Sequence, residues 1–252
     1  MTELILKNTG KKLTNFLLHS EELDNAYWDK TNLNTTGTPP WVDVEIAPDG
    51  TQTAEKLIGD TQNGLHNVRR LITDSNAYRV FSAFVKADEI NEVRVRIQGG
   101  TGFANRAAVR FDLNTKQINA TETNAFGTFT QFESKIDELQ NGWFRIQVGA
   151  FIPPTESSIL LVVTLISSGA NFAGNDIDGL FVWGLQLSDD FGSYIPTTTA
   201  PVTRAADVIT VNPPVGVTEI FEEAEGGAIN VETTIPTTYT IPIGRWRSIK
   251  MK

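Results

Sequence analysis

Side chains able to do chemistry are thinly spread in this chain and seldom stand at catalytic spacing. The two histidines, His19 and His66, lie apart from any serine or carboxylate phrase that would complete a nucleophile–base–acid triad. No H-E-x-x-H helix, phosphate-cradling glycine loop or dinucleotide fingerprint occurs. Adjacent carboxylates such as Glu21-Glu22 and Asp189-Asp190 are what any acidic chain supplies. Glycoside hydrolysis needs two carboxyls across one cleft, a relation sequence does not carry. The reading is a non-enzyme.

Two kinds of binding chemistry remain. A sugar site on a β-sheet protein uses aromatic rings against pyranose faces, with amides and charged groups for the hydroxyls. Trp41, Tyr78, Phe103 and Phe126 each stand beside polar or glycine-rich sequence and are read as loop aromatics. Arg94, Arg96, Arg106 and Arg110 fall on alternate positions of two strand-like runs and could receive an acidic sugar. The competing reading puts the rings in a core or interface and pairs the arginines with Glu92 and Asp112. For metal, Asn175, Asp176 and Asp178 bring hard oxygens to a glycine-ended loop, the donor type calcium takes. The fuller EF-hand spacing is missing and Asx-Gly loops are common turns, so no cofactor is expected.

The elements that position these residues are strands. Phe81, Ala83 and Val85 alternate with Ser82, Phe84 and Lys86. Val93, Val95 and Ile97 alternate with Arg94, Arg96 and Gln98, and Ala107, Val109, Phe111 and Leu113 with Arg106, Arg110 and Asp112. Asn141-Gly142 turns into a strand ended by Pro153-Pro154, and Ser158–Ile166 is apolar on both faces, as a central covered strand is. In Gly179–Leu187, period two puts Phe181, Trp183, Leu185 and Leu187 on one face and Leu180 and Val182 on the other, with Gly184 leaving room for a close neighbour. Ser20–Trp28 reads as a helical or turn segment with Ser20 as a candidate cap. Many strands and few helical periods predict an all-β, two-sheet antiparallel sandwich, with a jelly roll as the natural choice.

Five phrases in order sharpen that expectation. They are Asn15–Trp28 (NFLLHSEELDNAYW), Ala47-Pro48-Asp49-Gly50-Thr51, Phe84-Val85-Lys86-Ala87, Asn141-Gly142-Trp143-Phe144-Arg145, and a closing WGLQL…SYIPT…TRAAD from Trp183 to Asp207. Together they resemble the jelly-roll modules of tailed-phage fibre and spike proteins, which are in turn similar to carbohydrate-binding modules with a concanavalin A-like sandwich. The resemblance implies a virion protein on the particle exterior, made in the host cytoplasm. Its partners would be other virion proteins, a host-surface glycan and further copies of itself, in such assemblies most often as a trimer. It also raises the prospect of a structural calcium, which such modules often carry. Trp143, Arg145 and Trp183 match family positions and read as packing; Arg204 and Asp207 read as a closing pair.

Composition agrees. The 252 residues suffice for one large β domain with an appendage, and a net charge of −9 leaves no broad basic surface for nucleic acid. The absence of cysteine excludes disulfides and thiolate metal sites. No run is long and apolar enough to export the chain or to span a membrane. Three parts are expected: an N-terminal arm over 1–14, the sandwich over 15–211, and a small β extension over 212–252. The arm is either a frayed end or a virion anchor. The extension is acidic from Glu219 to Glu232 and basic from Arg245 to Lys252, which invites strand pairing within it or between subunits. It is expected to dock on the sandwich or, preferentially, on a partner. Decoration or joining proteins whose jelly roll grips only protein form the competing class; a binding module of a polysaccharide-degrading enzyme is a third.

Overall fold

A computed structural model describes residues 12–99 and 104–205, and beyond them five short strands. The chain divides into two compact units, one running Thr14–Val202 and the other made of Met1–Leu13 with Thr203–Lys252. Among the described residues the regular structure is strand, apart from one short 3-10 turn at Gln140–Gly142.

The strands, in chain order, begin with β1 (Leu13–Asn15), β2 (Asp29–Thr31), β3 (Glu45–Ile46), β4 (Gln52–Ile58), β5 (Asn63–Gly64) and β6 (Asn67–Ile72). Next come β7 (Ala77–Ala87), β8 (Glu92–Gly99), β9 (Arg106–Asp112), β10 (Gln117–Ile118), β11 (Asn124–Phe126) and β12 (Thr130–Glu138). The larger unit closes with β13 (Trp143–Ile152), β14 (Ile159–Ile166), β15 (Phe172–Ala173) and β16 (Gly179–Ser188), and β17 (Val202–Arg204) follows.

Two antiparallel sheets carry this unit. The first runs β10-β9-β8-β14-β6-β2, with β11 also on β9; the second runs β12-β13-β7-β16-β4-β3. Their facing sides share one apolar cluster that takes Val93, Val95, Ile97, Val109 and Leu161 from the first sheet. Phe81, Ala83, Val85, Ile146 and Val148 enter it from the second. The arrangement is therefore all-β and sandwich-like, and the alternation read in β7, β8 and β9 is the alternation observed. β14 lies between β8 and β6, so its runs of Ile, Leu and Val are flanked on both edges.

The strand β16 departs from the period-two expectation. Leu180, Val182, Leu185 and Leu187 all join the main core, while Phe181 and Trp183 face outward. The cause is a bulge: register with β7 shifts between Trp183 and Gln186, and Gly184 sits at φ 61°. One extra residue flips every side chain after it to the other face. A Cβ at Gly184 would stand 2.8 Å from Cδ2 of Phe84, so the close neighbour expected there is that ring. Gly184→Ala combines a left-handed backbone penalty with overpacking and is expected to cost about 2–4 kcal/mol. An unchanged urea midpoint for the variant would contradict this account of the bulge.

Residues 16–28 form no helix. Consecutive turns carry the chain, with backbone bonds from Glu22 to His19, Asn25 to Glu22 and Trp28 to Asn25, while Leu17, Leu23 and Trp28 drop into the core. Ser20 caps nothing; its buried hydroxyl meets the Tyr194 hydroxyl at 2.7 Å and accepts the Thr197 N–H at 2.8 Å.

In the smaller unit, β18 (Ile209–Val211), β19 (Ile220–Glu223), β20 (Ala228–Asn230), β21 (Tyr239–Ile241) and β22 (Ile249–Lys250) follow. β18 pairs with β21, and β19 pairs with both β20 and β22, which sets Glu222 opposite Lys250. The register thus places an acidic strand and the basic end of the extension side by side within one chain. Asp207, the expected partner of Arg204, lies outside the described residues.

Candidate ligand-binding face

The outer face of the first sheet assembles from strand register. Three cross-strand rows run over it. One joins Asn67, Thr164, Arg94 and Arg110; the next joins Arg69, Val162, Arg96, Ala108 and Asn124. The third joins Leu71, Leu160, Gln98, Arg106 and Phe126. Neighbours within a row are about 5 Å apart and rows about 7 Å, so a layer of cationic side chains covers the centre of the sheet.

All four arginines predicted as sugar ligands lie here, but they divide into two kinds. Arg110 is fully engaged, donating to Glu92 through Nε and Nη2 at 2.7 and 2.8 Å and to Glu122 at 2.5 Å. These carboxylates, Glu92 foremost, hold its guanidinium above the ordinary arginine range. Arg94 donates to the same Glu122 at 2.9 Å. Burial alone would raise Glu122, but the bonds from Arg110 and Arg94 outweigh it and hold that carboxyl below the usual range. Arg96 and Arg106 have no carboxylate partner among the described residues. Burial, reinforced by Arg94 and Arg106, pulls Arg96 down to about 10. Arg106 lies 4.8 Å over the ring of Phe126, which is 54 % exposed.

The expected pairing with Asp112 does not form. Asp112 accepts the N–H groups of Asn114 and Thr115, both at 2.9 Å, and so closes the turn after β9. Glu122, arriving from the excursion between β10 and β11, takes the place foreseen for it.

The aromatic candidates scatter. Phe126 ends β11 and Tyr78 lies within β7, so both stand in strands and not in loops. Tyr78 belongs to the other sheet, where its hydroxyl stands over Gly149. Trp41 is a loop residue but is only 8 % exposed, its carbonyl accepting the Lys56 N–H. Phe103 lies outside the described residues. Only Phe126, of the rings that can be placed, shares a face with the arginines.

The second sheet's outer face is filled by protein. Phe84, Trp143 and Trp183 cluster there with Ala47 and Ala54, and Tyr194 packs on them with its ring 4.9 Å from Trp183 and 5.4 Å from Phe84. Trp143 donates to the Ile46 carbonyl at 3.0 Å and Trp183 to the Thr53 hydroxyl at 3.1 Å. Arg145 donates to the Gly192 carbonyl at 2.6 Å and lies 5.2 Å over Phe84. Its burial lowers it to about 10. This face is closed by the loop that ends in Tyr194.

No protein-family model matches this chain, and no curated protein matches it.

The loop at Asn175, Asp176 and Asp178 is a turn. The side-chain oxygen of Asn175 accepts the N–H groups of Ile177 at 3.0 Å and Asp178 at 2.8 Å, and Asp176 takes φ 63°. Among the described residues no group of three or more His, Cys, Asp or Glu is placed to hold a metal ion. His66 is buried between the carbonyls of Asn32 and Phe172, and His19 bonds to Glu22 and Asn25. No helix among the described residues is long and apolar enough to cross a membrane.

Sequence reasoning missed the far half of the face. Arg69, Asn67 and Thr164 join it through register with β14, which is non-local. The one available signal was Thr164, a polar residue interrupting the apolar run SILLVVTLI.

Proposed function

We propose that this chain is a non-enzymatic structural protein of a tailed-phage virion, a head- or tail-fibre or spike subunit. Its sandwich, taken as a jelly roll of carbohydrate-binding type, serves attachment to host-surface glycans from the particle exterior, in a homo-oligomer joined to other virion proteins. The observation that carries this reading is the contrast between the two outer faces. One is covered by Tyr194 and its aromatic neighbours; the other presents Arg96, Arg106 and the exposed Phe126 ring on a sheet whose central strands are paired on both edges. A sheet face carrying an exposed ring and amphipathic cations suits the face of a saccharide.

The five phrases that resemble fibre modules lend support in physical terms. The first and last of them are hydrogen-bonded to each other: His19 to Thr198, Ser20 to Thr197, and Asn15 to Ile195. Residues so widely separated form one seam, which gives a reason for them to occur together. Binding of the purified protein to an array of host surface polysaccharides tests the proposal, and a positive signal from at least one is the expected result. Silence across the array would remove the attachment role and favour a decoration or joining protein. Labelling the chain in an imaged virion tests the location independently.

A further inference from the structure

The centre of the arginine face concentrates buried polar atoms that have no hydrogen-bond partner among the described residues. Gln98 and Thr164 are each 0 % exposed, Asn67 is 3 % exposed, and both side-chain polar atoms of Gln98, Oγ1 of Thr164 and Oδ1 of Asn67 have no hydrogen-bond partner. Nε of Arg69 and Nε of Arg96 are buried and unpartnered beside them. Buried polar groups are normally paired, because leaving one unpaired costs a desolvation penalty. Here these six atoms, on five residues, crowd into three adjacent rows of one sheet. The long side chains around Thr164 and Gln98 are Arg69, Arg94, Arg96 and Arg106, whose apolar stems cover a sheet face as long cationic side chains do.

We infer that this patch is a subsite for the carboxylate of a hexuronate in an acidic polysaccharide, held between Arg69 and Arg96 over Val162. The inference rests on the attachment reading above and names its ligand class. Arg69 and Arg96 flank Val162 from the two strands on either side of β14. Their backbones are therefore about 10 Å apart, a span that two guanidinium groups close over one carboxylate. Asp29 neighbours Arg69 in register, yet no ion pair joins them. Arg94 and Arg110 are occupied by Glu122 and Glu92, so they frame the site without supplying its free charge.

Three features favour a saccharide over an acidic peptide. The unpartnered set mixes cationic donors with the acceptors Asn67 Oδ1 and Gln98 Oε1, and pyranose hydroxyls both donate and accept. β8 and β14 are interior strands whose ladders are full, so a peptide finds no edge to extend. The exposed Phe126 ring, in the same row as Gln98 and Arg106, offers a stacking face three strands from Val162, about 15 Å away and so within reach of a later unit of the same polymer. The net charge of −9 works against indiscriminate attraction of polyanions, so capture of one requires a local site.

The test measures binding of the full chain to polygalacturonate, alginate and hyaluronan, to their carboxyl-reduced forms, and to poly-L-glutamate and dextran sulfate. Wild type, Arg96→Gln and Arg69→Gln are compared. The expected result is binding to at least one hexuronate polymer, loss on carboxyl reduction, and weakening of about tenfold or more in each variant, the loss expected for one charge-assisted bond. Arg96→Gln is also expected to raise Tm by about 2–4 °C in the absence of ligand, since an unpaired, desolvated charge is removed. A structural arginine would lower it. Equal binding of poly-L-glutamate or dextran sulfate overturns the inference in favour of general polyanion attraction, and so does hexuronate binding that both variants leave intact. Failure to bind any hexuronate polymer overturns it as well. If a neutral host polysaccharide is bound instead, the subsite fails and attachment stands; if no polysaccharide is bound, attachment fails too.

Discussion

Asn15→Ala is expected to lower the stability of the larger unit by about 3–5 kcal/mol, equivalent to roughly 8–15 °C in Tm. Asn15 is completely buried and its side chain makes four bonds to backbone. Its Nδ2 donates to the carbonyls of Ile195 at 2.8 Å and Leu185 at 3.4 Å. Its Oδ1 accepts the N–H groups of Leu17 at 3.1 Å and Leu187 at 3.2 Å. Past the bulge at Gly184, β16 regains its ladder with β7, but its ladder with β4 ends at Val182, so that edge of the later residues needs other partners. Asn15 supplies them, as a side-chain amide imitating a strand's own peptide group. Alanine leaves two donors and two acceptors unmet in a buried site, and the seam between the first and last phrases keeps only its backbone bonds and those of Ser20. Thermal and urea unfolding of the variant check this; a Tm within about 2 °C of wild type would show the bonds to be dispensable.

What could be read from the sequence depended on whether the information was local. Alternation in β7, β8 and β9 is local, and it gave the core residues and the outward arginines correctly. The turn at Asn141-Gly142 is local too, with Asn141 at φ 59° leading into β13. The bulge was not legible, because a glycine inside a strand reads equally as a gap for a neighbour or as a left-handed residue, and here Gly184 is both. That one position moved Leu185 and Leu187 to the opposite face. The subsite was half legible for the same reason. Arg94, Arg96, Arg106 and Arg110 lie on consecutive strands, whereas Arg69 and Thr164 reach them only through β14, which pairs with β6 and β8 across long stretches of sequence. Asp112 was the nearer carboxylate in sequence, but a backbone turn claimed it and Glu122 served instead.

The two outer faces show how one sheet architecture treats cations differently. Arg145 is buried and yet engaged, its guanidinium donating to Gly192 and to Ser82 at 3.1 Å and resting on Phe84. That set of contacts fixes a loop over the second sheet. Arg96 is likewise buried but has no such contacts, and the charges of Arg94 and Arg106 act on it more strongly than that of Glu122. A buried cation whose terminal nitrogens are engaged, as in Arg145, is structural; one with no bond at all is a position at which ligand binding can recover a cost the fold has already borne.

The pH dependence of folding is expected to be dominated by Glu55, with stability falling as pH rises from about 4.5 towards about 9. Glu55 lies on β4 opposite Val182, so its side chain enters the core face, where it is 1 % exposed. Oε1 accepts the Leu23 N–H at 2.8 Å, while Oε2 has no partner among the described residues. Lys30 does not neutralise it, since that ammonium is held by the carbonyls of Asp24, Asn25 and Trp28. Burial therefore pushes the carboxyl up to about 9, and the Leu23 bond offsets only part of that. The folded chain keeps this proton where the unfolded chain has released it. Between the two pKa values the native state binds more protons, so each pH unit removes up to about 1.4 kcal/mol, and the loss is complete only above the folded value. Glu21, also raised by burial, adds in the same direction, whereas Glu89 and Glu122 are lowered and act at acid pH with the opposite sign. Glu55→Gln isolates the effect: it keeps the acceptor for Leu23 and removes the ionisation. At pH 8 the variant is expected to be more stable than wild type by several kcal/mol, and the advantage should shrink steadily to nothing near pH 4.5. Parallel stability curves for the two proteins across that range would mean that Glu55 is solvated in the folded state, and the packing of residues 17–28 over β4 would have to be redrawn.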